Sequence, residues 1–94
     1  MRIKWLKKAL RNIVQIHEYI ARDNPAAAIS VTLKIQQAVN QLADTPYIGR
    51  IGRVEGTREL VILQTPYIVI YRIKGESVQI IRVLHSSRKY PNND

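Results

Sequence analysis

The chain carries two hydrophobic rhythms, one after the other. From Leu6 the apolar positions return at helical spacing: Leu6, Leu10, Ile13, Ile16, His17 and Ile20 form a stripe, with Lys7, Lys8, Arg11 and Asn12 on the other side. This predicts a helix to about Arg22. Its basic start opposes the helix macrodipole and reads as a solvated face. Asp23-Asn24-Pro25 breaks the pattern: Asn24 is a good N-cap, and Pro25 is preorganised for the first helical position. A second helix is expected from Pro25 to about Ala43. Ala28, Val31, Ile35, Ala38 and Leu42 make its main stripe, and Ile29, Leu33 and Val39 widen it. So short a connection makes the two helices an antiparallel hairpin, and the Ala26-Ala27-Ala28 cluster lets them approach closely. Asp44-Thr45-Pro46 ends the second helix, because proline cannot continue it.

The rhythm then shortens. Tyr47 to Glu55 (YIGRIGRVE) reads as a loop or weak strand, loosened by Gly49 and Gly52. Three strands follow, around Leu60–Leu63, Tyr67–Ile73 and Val78–Leu84, where branched and aromatic residues suit a half-buried pleated surface. Gln64-Thr65-Pro66 and Lys74-Gly75-Glu76 separate them as hairpin turns, which makes neighbours antiparallel. Arg2 to Trp5 reads as a short opening strand with Ile3 and Trp5 on one face, extending the same sheet. The expected fold is therefore a two-layer α+β domain: an N-terminal helical hairpin packed on a C-terminal antiparallel sheet of three to four strands.

Composition narrows the function. The 94 residues form one domain, and 46% hydrophobic content marks a folded chain. With no cysteine there is neither a disulfide scaffold nor thiol chemistry, which fits a reducing cytoplasm. No apolar run reaches the length of a signal peptide or a membrane span, so a cytoplasmic location without membrane contact is expected. Fifteen basic residues against seven acidic ones give a net charge of +8, which favours a polyanionic or acidic partner.

The sequence offers little conventional catalytic chemistry. His17 and His85 are the only histidines, far apart and without carboxylates at ligand spacing, so no metal or cofactor is expected. His17 reads as a core or boundary residue. Ser86 and Ser87 adjoin His85, but no orienting acid is evident for a nucleophilic triad. GRIGR lacks the lysine and the helix start of a phosphate loop. RNA cleavage through the substrate's own 2′-hydroxyl needs only an acid, a base and cations. His85 or Tyr90 can supply the former, and Arg58 and Arg72 can clamp phosphate, provided all four converge. Otherwise Arg58 and Glu59 pair with neighbours across the sheet, and Arg72 and Arg82 are solvated edge charges.

The order of elements, with GTREL opening the first long strand, PYIVIYRI forming the second and RVLHSSRKYP ending the third, resembles the RelE/ParE superfamily of bacterial toxins. IHEYIARDNPAAA and QLADTPYIGRIGR extend the likeness over nearly the whole chain. The resemblance implies the toxin of a type II toxin–antitoxin module. Its partner would be a cognate antitoxin whose acidic segment folds on binding, and operator DNA would be reached only through that antitoxin. YIARDNPAAA, TREL and PYIVIYRI resemble the ParE and plasmid-stabilisation side. RelE members carry a lysine-rich loop where this chain has YIGRIGRVE. The first reading is thus a ParE-like DNA gyrase poison, binding its target through Arg82, His85, Arg88, Lys89 and Tyr90, with Arg58 and Arg72 in support. The alternative is a RelE-like ribosome-dependent mRNA endoribonuclease with Arg58, Arg72, His85 and Tyr90 as its metal-free catalytic set. A non-toxic basic interaction module is the third.

Overall fold

The computed structural model describes residues 1–88 and 90; Lys89, one of the expected target-binding cations, lies outside the described residues. The elements run β1 (Arg2–Trp5), α1 (Lys7–Ala21), α2 (Pro25–Gln41), β2 (Arg50–Ile51), β3 (Arg58–Val61), β4 (Tyr67–Lys74) and β5 (Ser77–His85). Asn24 caps α2 by accepting the Ala27 N–H at 3.0 Å, and Pro25 occupies the first helical turn. At the β4–β5 turn Lys74 pairs with Ser77, and Gly75 takes φ +60°, a conformation that favours glycine in a tight hairpin.

Among the described residues the sheet has five strands in the order β1-β5-β4-β3-β2. It is mixed, where an antiparallel sheet of three to four strands was expected. The opening strand does extend the sheet, but it lies parallel to β5, with Arg2 opposite Ser77 and Trp5 opposite Ile80. The Leu6 N–H then donates to Ile80 O at 3.0 Å, and the chain turns directly into α1. The fifth strand, β2, is only two residues long, pairing Arg50 with Glu59 and Ile51 with Arg58. A bulge between Ile70 and Tyr71 leaves Ile81 without an opposite number on β4.

Both helices cover one face of the sheet. Ala9 and Ile16 of α1 and Ile35, Val39 and Leu42 meet Val69, Tyr71, Val78, Ile80 and Val83 in one core. Each fully buried aliphatic side chain there contributes about 1.5–3 kcal/mol. Because two helices share one sheet face, each buries only a narrow stripe. Leu10, Ile29 and Leu33, expected on the buried faces, are instead exposed, while Asn12, expected on the polar side, is buried. On the opposite face Ile68, Ile70 and Leu84 form a second, smaller cluster, against which Ile81 and Tyr90 pack.

Candidate functional site

β1 ends opposite Ile80, so among the described residues the outer edge of β5 has no strand partner beyond that point. α1 takes over. Asn12 Oδ1 accepts the Val83 backbone N–H at 3.0 Å and Arg82 Nε at 2.9 Å. One amide oxygen thus replaces the missing strand and ties the end of β5 to the helix. Arg82 is only 6% exposed, so it is not the solvated edge charge that the sequence allows. Burial pulls its guanidinium below the usual arginine range; Tyr90 acts in the opposite sense and Arg88 in the same one. It stays cationic at neutral pH.

Beyond this tie a cleft of about 560 Å³ opens between α1 and the last residues of β5. Tyr19 and Gln15 of α1 line it on one side, and Tyr67, His85, Ser87 and Arg88 on the other. Asn12, Gln15, Ile16 and Tyr19 recur at helical spacing along that wall. His85 stands in register with Tyr67, and their rings meet edge to face, 5.7 Å apart. The Ser87 N–H donates to His85 Nδ1 at 3.1 Å, and Ser87 Oγ lies 2.8 Å from the same nitrogen. The neutral imidazole therefore carries its proton on Nε2. The Tyr67 phenol is pushed above the usual tyrosine range by burial, and by Tyr19 nearby.

Arg82, His85, Arg88 and Tyr90 gather at this end of the sheet, but they do not share one surface. His85 and Arg88 line the cleft. The Tyr90 ring packs against the cluster on the opposite face. Arg58 and Arg72 lie elsewhere. Arg72 is five residues along β4 from Tyr67, about 17 Å at strand rise, and alternates with core-facing Tyr71. Its Nε donates to Gln79 Oε1 at 2.6 Å. Arg58 stands opposite Tyr71, with Nη1 donating to Gly49 O at 2.7 Å and Tyr47 O at 3.2 Å. Its guanidinium also sits 5.1 Å from the Tyr47 ring centre. Arg58 thus fastens the loop between α2 and β2. Glu59 is held by Arg50 at 2.9 Å, a pairing across the sheet of the kind expected for it from the sequence. The four groups of the ribonuclease set are therefore not brought together.

Sequence reasoning missed Asn12, Gln15, Tyr19 and Tyr67. Their helical spacing was visible for the first three, but a polar residue in a basic segment gave no sign of which strand edge it would close.

A family model for the ParE toxin of type II toxin–antitoxin systems, parDE, matches residues 3–90. The protein named putative toxin Y4kP of Sinorhizobium fredii is 44% identical over 90 residues, covering 96% of this chain and 93% of its own. Toxin RelE2 of Caulobacter vibrioides is 33% identical over 86 residues, covering 92% and 96%. A solved structure of the chromosomal ParDE system from P. aeruginosa superimposes with a TM-score of 0.81 at 28% identity, over 90% of this chain and 95% of that one. The toxin–antitoxin complex RelBE2 of Mycobacterium tuberculosis gives 0.60 at 25% identity, over 89% and 95%.

Proposed function

The chain belongs to the ParE toxin family of type II toxin–antitoxin systems, and from that we propose that it arrests growth by poisoning DNA gyrase. The observation that carries this reading against RNA cleavage is the engagement of Arg58 and Arg72. Arg58 is committed to the Tyr47 and Gly49 carbonyls and Arg72 to Gln79, about 14–17 Å along the strands from His85. A gyrase poison needs a shaped, charged contact surface and no acid–base pair. The cleft end of β5 offers one, with His85 and Arg88 exposed beside Tyr19. Arg82 supports it from beneath by holding β5 to α1.

The alternative target, mRNA on the ribosome, rests on the same cleft and on the likeness to the toxin RelE2. There His85 would be the acid or base and Arg88 the phosphate contact, without the two distant arginines.

The partner that restrains the toxin is a cognate antitoxin. The relatives named above include two toxin–antitoxin systems. Leu10 and Val14 on α1 and Ile29 and Leu33 on α2 are each 48–61% exposed, and the net charge is +8. That combination suits a segment apolar on one side and acidic on the other, which folds as it binds.

Induced expression tests the proposal. Growth should stop, the SOS response should follow, and linear DNA should accumulate when the chain is mixed with purified gyrase. Immediate translation arrest with cut mRNA and intact DNA would select the ribosome instead.

A further inference from the structure

The sheet face turned away from the helices is divided in two. One half is the small apolar cluster that Tyr90 covers. The other half is entirely polar. In register across three strands stand Lys4, Gln79 and Arg72, and next to them Arg2, Ser77 and Lys74. The residues that alternate with them in sequence, Ile3, Trp5, Tyr71, Ile73, Val78 and Ile80, belong to the helix-side core or pack against it. Alternation therefore sends all six polar side chains to the open face. Each row reads cation, neutral donor, cation.

Strand spacing sets the scale. β1 and β4 are two strands apart, so the cations of one row start about 10 Å from each other, and the rows lie about 7 Å apart. Arg2, Lys4, Arg72 and Lys74 are all exposed. The hydrogen bond from Arg72 Nε to Gln79 Oε1 spends one guanidinium nitrogen and steadies the group over the sheet. Glu76, in the β4–β5 turn, offsets one of the four charges. Glu59, farther along the same face, is already held by Arg50.

We infer that this half-face binds the phosphate backbone of duplex nucleic acid, without reading sequence. Charge alone would admit an acidic protein. Such a partner, however, needs an apolar centre to its interface, and these rows contain none. A single strand is disfavoured for a related reason: no aromatic ring stands among the six residues for bases to stack on. Arg, Lys, Ser and Gln side chains are the ordinary donors to phosphate oxygens. A duplex carries a charge about every 1.7 Å of its axis, so a rectangle of this size meets several phosphates at once. The site is separate from the cleft and stands whether gyrase or the ribosome is the target. On a toxin acting at gyrase, it would hold the protein to the DNA being handled.

The test is fluorescence anisotropy with a short labelled duplex of arbitrary sequence, titrated with the purified chain across about 50 to 200 mM salt. The log–log slope of affinity against salt should be about −3 to −4, one contact contributing about −0.9. Arg72→Gln with Lys74→Gln should bring the slope about two units closer to zero, as should Arg2→Gln with Lys4→Gln. All these side chains are exposed, and circular dichroism should show the variants folded. Lys7→Gln with Arg11→Gln removes the same charge from α1 and should leave most of the slope in place. An equal loss in the α1 variant would overturn the assignment. So would tighter binding of the corresponding single strand, or competition by polyglutamate as strong as by unlabelled duplex.

Discussion

Asn12 and Arg82 stand seventy positions apart in the chain and meet at 2.9 Å, where one amide oxygen takes both a guanidinium donor and the neighbouring strand's N–H. Asn12→Leu would leave both buried donors without that acceptor. The expected loss is about 2–4 kcal/mol of unfolding free energy, read as a lower urea midpoint at unchanged slope. Asn12→Asp keeps the acceptor and adds a charge beside Arg82, so it should cost less than Asn12→Leu.

Tyr71 links the core to the loop after α2. Its hydroxyl donates to Pro46 O at 2.7 Å and accepts the Gly49 N–H at 2.9 Å. Tyr71→Phe should lower stability by about 1–2 kcal/mol and speed amide exchange at Gly49. Gly49→Ala should be worse than its size suggests, because the new Cβ would lie 2.6 Å from the same hydroxyl.

The same tyrosine predicts an alkaline limb. Burial pushes the Tyr71 phenol above its ordinary value, against the lowering effects of the Gly49 N–H and Arg58, and burial does the same for Tyr67. The unfolded chain therefore releases these protons first, at about pH 10. Below that pH their contribution to stability is complete. It declines as the pH rises from there through the folded values. Thermal melts between pH 8 and pH 11 should show the decline, and Tyr71→Phe should make it shallower.

Tyr90 separates packing from chemistry. Its ring covers Ile68, Ile70 and Leu84. Tyr90→Phe should keep both stability and growth arrest. Tyr90→Ala should lose about 1–3 kcal/mol as the second cluster opens. Loss of growth arrest in a stably folded Tyr90→Phe variant would show that the hydroxyl takes part in the chemistry.

On the proposed gyrase reading His85→Ala should weaken DNA linearisation without abolishing it, because that reading asks of the ring, edge to face with Tyr67, only contact surface. A complete loss with unchanged circular dichroism would point to proton transfer and hence to RNA.

Both helices and the three long strands stand where the hydrophobic rhythm puts them, within about two residues, because each periodicity is local and strong. What escaped notice depends on distant partners. The parallel placement of β1 is fixed by its pairing with β5, more than seventy residues away. β2 exists only because Glu59 and Arg58 lie opposite it. Arg58 shows the same limit at the site. Its strand position predicts a lean toward the core face, and it stands opposite core-facing Tyr71. That its guanidinium would be taken up by two loop carbonyls was not written in any nearby residue. The basic end of β5 was legible as a cluster, but its division between cleft and opposite face was not, because the extra residue Ile81 reverses the alternation of every β5 residue after it.

The first strand of the chain has the last strand as its neighbour in the sheet. A growing polypeptide emerges from the ribosome N-terminus first, so β1 and the Asn12 side chain must wait for Ser77 to His85 before either finds its match. Any product cut short before that segment lacks the wall of the cleft as well as the closing strand. A cell making this protein thus meets a finished cleft only after Ser77 to His85 have left the ribosome.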